Sequence, residues 1–310
     1  MTRFVSAKNG GLLPRVVARR PRQERVIFPL MFAVVLAMLA SAPLHAAEAA
    51  RSSRIQQLEQ SMLGAQETAV TPEQAFTRVR AEAEKGDARA LLTLGGFYAE
   101  GIGVQKNFSK ARECYEKAAA TGMAEGIYNV GICWEVGMGS EADSAQAAEY
   151  FKKAADMNLP EALFKMSVIL DSGAGVKRDE KASVDYMARA AAAGHPDAAS
   201  IMGLVYLNGL RGQKQNTQEG MKLLKAAASA GSVEAMKNIA VVYKDGIGIA
   251  ASPTDALKWY VIAEKCGYPA EALSAVTAEL RKKLSGEQQK RAETDADAWI
   301  KSAIAALNAS

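Results

Sequence analysis

Beyond the amino-terminal leader, the residues with the widest chemical repertoire in this sequence of 310 residues are one histidine, His195, and three cysteines. One histidine cannot form a histidine-rich metal site, and the sequence has no H-E-x-x-H or C-x-x-C spacing. It also lacks the G-x-S-x-G elbow of serine hydrolases and a phosphate loop followed by Lys-Ser or Lys-Thr. We therefore interpret His195, beside Pro196, as a solvated turn residue, and we predict no catalytic residue, no metal ion and no cofactor.

Glycine pairs of the form G-x-G are the remaining motif with a chemical use, because glycine-rich loops cradle phosphates in nucleotide-binding proteins. They begin at Gly101, Gly137, Gly173 and Gly246. Each pair follows a predicted helix rather than a strand, and each recurs at the same place in a repeated unit. We therefore predict turns that end one helix and redirect the chain, since glycine readily adopts the positive φ angles of such turns.

The repeated unit is about 36 residues long and extends over residues 87–267. Its closing position is occupied in turn by Gly122, Asn158, Gly194, Gly231 and Gly267. A fixed period in the range of about 20–50 residues is typical of stacked repeat architectures. The predicted repeats are residues 87–122, 123–158, 159–194, 195–231 and 232–267.

Each unit predicts two antiparallel helices joined by the glycine turn. In the first helix, apolar residues follow the i, i+3, i+7 spacing of one helical face. In the first repeat this row is Leu91, Leu94 and Tyr98. A glycine beside the middle position recurs as Gly95, Gly131 and Gly203. Since glycine inside a helix is destabilising, its return predicts that another helix backbone packs close at that point. A lone hairpin cannot bury both of its apolar faces, so we expect the units to stack.

The segment LLTLGGFYAEGIGV…KARECYEKAAATG and its copies resemble the Sel1-like repeat, through the series LG-x-x-Y, G-x-G-V and A-x-x-x-Y-x-x-AA. The resemblance covers residues 87–267. It implies an all-α fold, a right-handed α/α superhelical solenoid of helix-turn-helix repeats related to the tetratricopeptide repeat. It also implies a secreted bacterial protein that binds other proteins. Cysteine-rich secreted members carry a regular cysteine pair in each repeat, which this sequence lacks, so their penicillin-binding and hydrolytic activity is not implied.

Cys114 and Cys133 fall on predicted helices that are neighbours in sequence. An oxidising compartment would permit a disulfide between them. The alternative is that both are small apolar core residues, which their counterparts in other repeats favour. Those counterparts are Tyr150, Tyr186, Phe97 and Ile169. The sequence does not give the Cα separation that a disulfide requires, so both alternatives stay open.

Residues 1–46 predict a secretory signal peptide. Seven Lys and Arg residues precede the apolar run VIFPLMFAVVLAMLASA at residues 26–42, and small residues follow it. Cleavage after Ala42 would leave Pro43 at the first position, so we predict cleavage after Ala46 and a periplasmic or secreted protein. The alternative is an uncleaved leader that anchors the protein, because a run of this length nearly suffices to span a bilayer.

The net charge of the mature chain argues against a nucleic-acid partner. Seven basic residues against Glu24 give the leader a charge of +6, so the chain total of +4 leaves −2 for the remainder. Nucleic-acid binding needs Lys and Arg clustered on one face, which this balance does not suggest. A membrane contact is predicted only through an uncleaved leader.

Additional segments flank the five repeats. Residues 47–70 predict an arm or a cap helix, and residues 71–86 a leading half-repeat that begins with Thr71 as the helix cap. Residues 268–310 predict capping helices. The predicted apolar stripe of the last helix is Trp299, Ile300, Ile304 and Leu307. The turn of the fourth repeat, residues 209–216, holds an extra residue, which is either a tolerated insertion or a projection that contacts a partner.

The surface predicted to bind a partner is the concave face of the first helices. Four columns of equivalent positions line it. They contain Glu125, Glu161 and Asp197; Tyr128 and Phe164; Ile132, Val168 and Leu204; and Glu135 and Asp171. An apolar strip with acidic flanks suits a peptide or helix that has apolar anchors and basic flanks. The alternative is that Tyr128, Phe164 and the third column pack between adjacent repeats.

Two functions remain open on the sequence. The first is a non-enzymatic protein–protein interaction scaffold or regulator in the bacterial cell envelope. The second is an envelope hydrolase or polysaccharide-related accessory protein that uses carboxylates of the groove. A binder should show an open groove, whereas an enzyme should show a closed pocket with two buried carboxylates of perturbed pKa.

Overall fold

A computed structural model describes residues 70–307, and over this range the chain forms thirteen α-helices. The predicted signal peptide, its cleavage site after Ala46 and residues 47–69 of the arm lie outside the described residues. The helices are α1 Pro72–Glu84, α2 Ala88–Glu100, α3 Phe108–Ala120, α4 Ala124–Val136, α5 Ser144–Asp156, α6 Pro160–Ser172, α7 Glu180–Ala192, α8 Pro196–Asn208, α9 Thr217–Ser229, α10 Val233–Asp245, α11 Pro253–Lys265, α12 Ala270–Lys283 and α13 Gly286–Leu307. No helix in this range is long and apolar enough to cross a membrane.

The five repeats are the hairpins α2–α3, α4–α5, α6–α7, α8–α9 and α10–α11, and α1 is the predicted leading half-repeat. From α1 to α12 each helix packs on the next one along the chain, and α8 also contacts α10. The predicted all-α solenoid is therefore confirmed.

Capping side chains start the second helix of every repeat. The cap residues are Asn107, Asp143, Asp179, Asn216 and Ser252. Each accepts a backbone N–H from the first turn, which satisfies a donor that the helix itself leaves unpaired. The first helices end at a left-handed glycine, at Gly101, Gly137, Gly173, Gly209 and Gly246. The predicted role of the glycine turns is confirmed.

The closing position of each repeat also has a positive φ. Asn158 has a φ of 60°, where the other repeats have glycine. Asparagine is one of the few residues that tolerate this conformation, because its short polar side chain bonds locally. The unusual residue at this position therefore keeps the geometry of the repeat.

The buried face of the first helices differs by one residue from the predicted row. Phe97 is fully buried, whereas Tyr98, the predicted third member, is half-buried. The other repeats bury the same position, with Cys133, Ile169, Val205 and Val242. Since apolar residues occupy both neighbouring positions, and both fit a helical period, the spacing alone could not separate them.

Gly95, Gly131 and Gly203 lie beside the middle of this buried face. Their missing side chains leave space mainly for neighbouring side chains and less for the backbone of another helix. A Cβ at Gly131 would lie 2.8 Å from Cε1 of Phe151, and a Cβ at Gly95 would meet the ring of Tyr115. Only at Gly203 is backbone also near, since its Cβ would lie 3.0 Å from the carbonyl oxygen of Gly220. The predicted close packing is correct, but in the first two repeats its partner is an aromatic ring.

The second glycine of each turn joins one repeat to the one before it. A Cβ at Gly103 would collide with the backbone of Pro72, and one at Gly175 with the backbone of Ser144. A Cβ at Gly139 would lie 3.2 Å from the Cα atom of Ser109, and one at Gly248 would meet the side chain of Thr217. Each contacted residue lies at the start of the helix that precedes the repeat. In the fourth repeat, Gly212 has no such neighbour within 4 Å.

The helix α13 seals the carboxyl-terminal end of the stack by packing on α11. Its Ala292 and Ala296 are fully buried, and Trp299 meets the ring of Trp259 edge-on at 5.1 Å. Ile304 is 53% exposed, so the predicted apolar stripe is wrong at this residue. The alanines allow the close approach that a row of large side chains would prevent.

Candidate partner-binding face

An apolar strip of one residue per repeat is the common feature of the first helices. We define the apolar strip as Ile132, Val168, Leu204 and Val241, which occupy equivalent positions on α4, α6, α8 and α10. All four side chains are half-buried. Because successive repeats stack, the strip continues from one repeat to the next. Three of its members belong to the predicted site.

On α4, Glu125 of the first column is exposed, whereas Tyr128 of the second column and Glu135 of the fourth are half-buried. Val136, one residue beyond Glu135, is the other exposed residue of this helix. The side chains of the second and fourth columns on α4 are therefore partly covered by neighbouring parts of the chain.

The acidic column has a structural origin within the helices. Glu125, Glu161, Asp197 and Glu234 all lie in the first turn of their helices. A carboxylate at this place stabilises a helix, because the amino-terminal end carries a partial positive charge. The column borders the apolar strip on one side. Its presence alone does not call for a basic partner.

The two predicted aromatic anchors are engaged inside the chain. The ring of Tyr128 packs on Phe151 of the same repeat with 5.3 Å between centroids. The ring of Phe164 stacks on His195 of the next repeat at 4.3 Å. Both side chains are half-buried. They therefore stabilise the solenoid, and the alternative of internal packing describes them better than the anchor role.

The carboxylates of the fourth column pair with cations of the following repeat. Glu135 Oε2 lies 2.8 Å from Nζ of Lys165, and Asp171 Oδ1 lies 3.0 Å from Nη1 of Arg211. The second predicted acidic flank is thus neutralised by the chain itself.

The extra residue of the fourth turn is used within the molecule. Arg211 has a φ of 53°, and its guanidinium turns back to Asp171, where both side chains are only 15% exposed. Gln215 Nε2 donates to the carbonyl oxygen of Leu207 at 2.9 Å. Both contacts hold the turn against the repeats.

His195 caps a helix, so its interpretation as a solvated turn residue is wrong. The backbone N–H of Ala198 donates to Nδ1 of His195 at 3.3 Å. Burial lowers the pKa of the imidazole, whereas the nearby carboxylates of Asp197 and Glu161 raise it by smaller amounts. A neutral ring with an acceptor at Nδ1 is what the cap requires.

A sequence signal for this cap existed. Asp87 and Ser232 occupy the same repeat position as His195, and each accepts a backbone N–H three residues ahead. The three residues share no chemical type, yet all offer an acceptor. Met123 and Leu159, at this position in the other repeats, make no such bond.

All three cysteines lie within the described residues and are free thiols. Cys114 belongs to a buried cluster with Val79 and Leu94, whereas Cys133 packs with Ala111 and Tyr115. Burial raises the pKa of the Cys114 thiol, which keeps it protonated and unreactive. The structure thus shows both as core residues in separate clusters.

A cavity of about 690 Å³ lies elsewhere, between α9 and the start of α11. Asp255 is the one carboxylate in its lining. Across residues 70–307, no three His, Cys, Asp or Glu side chains are grouped as metal ligands.

Comparison with known proteins agrees with this geometry. The profile of the Sel1 repeat matches residues 88–122, 124–159, 160–195, 196–232 and 233–268. The chain is similar to a Sel1 repeat protein of Oxalobacter formigenes, with 31% identity over 63% of this chain and 78% of that chain and a TM-score of 0.55. No curated protein matches it.

Two further solved structures are more distant in sequence. The protective antigen c5321, present in uropathogenic Escherichia coli strains and displaying an SLR fold, is 20% identical over 74% of this chain and 57% of that chain, with a TM-score of 0.47. The immunity protein Pa5087 of Pseudomonas aeruginosa is 19% identical over 80% of this chain and 84% of that chain, with a TM-score of 0.43. The five matched repeats cover more than half of the sequence, and the chain therefore belongs to the Sel1 repeat family.

Proposed function

We propose that this protein is a non-enzymatic scaffold of the bacterial cell envelope that holds a segment of a partner protein along the apolar strip. Sel1 repeats generally mediate protein–protein interactions, and their solenoid is typically non-enzymatic. The observation that carries the proposal is the strip itself, since four equivalent repeats present a half-buried apolar residue at the same place. Repeat solenoids commonly use such continuous surfaces for binding.

The borders of the strip define what the partner segment should carry. On one side, Glu125, Glu161 and Asp197 present carboxylates at the helix starts. On the other side, Lys165 and Arg211 already neutralise the carboxylates. The partner segment should therefore have an apolar face and basic residues along one edge only. An amphipathic helix or an extended peptide meets this description.

The decisive experiment removes the apolar strip and leaves the repeats intact. We expect Ile132→Ser with Val168→Ser to weaken binding of the partner at least tenfold, because apolar anchors at the centre of an interface carry most of its affinity. The partner would be recovered from periplasmic extract by affinity capture, identified by mass spectrometry, purified and titrated by calorimetry.

A matched control distinguishes this loss from general surface change. Met157, 47% exposed at the end of α5, is an apolar residue outside the strip that is more exposed than Ile132 and Val168. Met157→Ser should bind normally. If the folded double variant, checked by circular dichroism, binds with undiminished affinity, the strip is not the binding surface.

The envelope location rests on the leader sequence and has its own test. We expect the exported protein to begin at Ala47, because a basic segment, an apolar run and small residues precede it. Amino-terminal sequencing of protein from the periplasmic fraction would measure this. A chain that still begins at Met1 and partitions with membranes would indicate an anchored protein instead.

A further inference from the structure

A second surface of the molecule, in the fourth repeat, forms an open groove, whereas the equivalent surface of the first repeat is filled by a side chain of the protein. We define the α9 groove as the cavity of about 690 Å³ between α9 and the turn that leads to α11. Met221, Tyr243 and Ile249 form its apolar part, and Lys222 and Lys225 of α9 also line it. We propose that this groove binds an acidic, partly apolar segment of a partner protein. This proposal does not depend on the apolar strip.

The equivalent place between the first and second repeats is filled by the chain itself. Arg112 stands at the repeat position of Met221, and Trp134 at that of Tyr243. The guanidinium of Arg112 lies 4.0 Å above the ring of Trp134, and its Nη1 donates to Ser140 Oγ at 2.6 Å. The Arg112 side chain is only 17% exposed. The equivalent of the α9 groove between the first and second repeats is therefore large enough to hold a long side chain.

In the fourth repeat the internal occupant is missing. Met221 is itself buried against the repeats and does not bridge to the following turn as Arg112 does. Ile249 stands at the position of Ser140, so the turn offers no hydroxyl for such a bridge. The groove therefore remains open with an apolar surface. An external side chain can take the place that Arg112 takes in the first repeat.

The charge of the α9 wall is reversed relative to the first repeat. Glu113 and Glu116 of α3 correspond to Lys222 and Lys225 of α9. In the first repeat, Glu116 Oε1 lies 2.8 Å from Nε of the internal Arg112. At the open groove the wall is cationic, so the complementary occupant is anionic.

The lysines are available for such an occupant. Lys222 reaches the two carboxylate oxygens of Glu219 only at 3.3 Å and 3.4 Å, and Lys225 makes no ion pair with any described residue. The single carboxylate of the lining, Asp255, accepts the hydroxyl of Ser252 at 2.6 Å at the start of α11. Burial raises the pKa of Tyr243, which keeps its hydroxyl protonated as a hydrogen-bond donor.

The shape favours a peptide segment over a small anion. Thr217 to Lys225, both in the lining, span about two helical turns, or roughly 12 Å along α9. About four residues of extended chain cover this distance. Alternating side chains of such a segment would place carboxylates near Lys222 and Lys225 and apolar groups on Met221 and Ile249.

Defined peptides test the proposal without knowledge of the partner. Fluorescein-labelled octapeptides of alternating Leu and Glu, Leu and Gln, or Leu and Lys would be titrated with the mature protein and followed by anisotropy. The Leu-Glu peptide should bind most tightly, and raising the salt concentration should weaken it. Stronger binding of the Leu-Lys peptide would overturn the proposal.

Charge reversal on α9 has a matched control in the second repeat. Lys222→Glu with Lys225→Glu should weaken the Leu-Glu peptide at least tenfold. Lys152→Glu with Lys153→Glu makes the same change on α5, where Lys152 occupies the repeat position of Lys225 but pairs with Asp156 at 2.7 Å. An equal loss in both double variants, or no loss on α9, would contradict the groove.

A third variant separates occupation of the groove from attraction by charge. Met221→Arg adds a positive charge, but its new side chain should lie across Tyr243 as Arg112 lies across Trp134. Because this side chain would then fill the α9 groove, the peptide should bind at least tenfold more weakly. Tighter binding would mean that charge alone attracts the peptide. If Met221→Arg does not fold, the peptide affinity of Lys222→Glu with Lys225→Glu tests the groove instead. The strip variant Ile132→Ser with Val168→Ser should retain peptide binding, which separates the two proposals.

Discussion

The turns of the third and fourth repeats bend the chain alike but attach it differently to the preceding repeat. Gly175 and Gly212 both have positive φ angles, of 71° and 76°. A Cβ at Gly175 would lie 2.4 Å from the carbonyl oxygen of Ser144, whereas nothing lies within 4 Å of one at Gly212. Glycine is thus required at position 175 for both its backbone angle and its missing side chain, and at position 212 only for its backbone angle.

The fourth turn replaces the glycine contact with side-chain contacts. The ion pair of Arg211 with Asp171 and the stack of His195 on Phe164 both join the third and fourth repeats. These contacts involve charged or titratable groups, unlike the backbone contact at Gly175. Both junctions hold an ion pair, Glu135 with Lys165 and Arg211 with Asp171, but of the two only the preceding junction also has a backbone contact at its second turn glycine.

The largest expected effect contrasts the two glycines directly. Gly175→Ala should destabilise the protein by about 3 kcal/mol or more, because left-handed strain adds to a collision with backbone that cannot move aside. Gly212→Ala should cost about 1 kcal/mol from strain alone. Chemical denaturation of both variants would measure the difference. Equal losses would show that the contact between Gly175 and Ser144 contributes nothing.

Gly131→Val tests how much a glycine inside a repeat contributes to stability, for comparison with the glycines between repeats. The new methyl groups would meet the ring of Phe151, for which a Cβ alone already lies at 2.8 Å. We expect a loss of about 2–3 kcal/mol from overpacking, which the higher helix propensity of valine relative to glycine offsets only in part. Thermal unfolding would record it. An unchanged Tm would refute close packing at this glycine.

The period of the sequence predicted the hairpins, the turn glycines and the closing residues, because each depends on local backbone preferences. It could not separate Phe97 from Tyr98, since apolar residues occupy both positions. Nor could it predict the pairing of Glu135 with Lys165, which depends on how far one repeat is displaced along the next. The cap role of His195 does not follow from residue type, because Asp87, His195 and Ser232 share only an acceptor atom, which is all that a cap requires.

The ion pair of Arg211 with Asp171 should contribute less to the free energy of unfolding than Gly175 and Gly131 do. We expect Arg211→Ala to cost about 1–2 kcal/mol, since the side chains are mostly buried but near the surface, between the values typical of exposed and buried pairs. A double-mutant cycle with Asp171→Asn would isolate the pairwise term. Additive losses would show that Arg211 holds the turn by packing alone.

The smallest expected effect concerns His195, and it depends on pH. The Nδ1 atom accepts from Ala198, so protonation removes the cap and places a cation at the amino-terminal end of α8, where the helix dipole opposes it. Burial holds the folded-state pKa of His195 below its ordinary value of 6.5. The stabilisation is therefore complete above pH 6.5 and declines as the pH falls toward the folded-state pKa.

A variant with a cap that does not titrate isolates this contribution. Ser232 caps α10 at the same repeat position, so His195→Ser should keep the cap at both pH values. Because His195 is the one histidine after residue 46, a protein comprising residues 47–310 has no other histidine to titrate. Between pH 7.5 and pH 5, we expect the wild type to lose about 0.5–1 kcal/mol more unfolding free energy than His195→Ser, on the scale of one helix cap. Denaturation curves at the two pH values measure this difference, and parallel losses in both proteins would mean that the cap survives protonation.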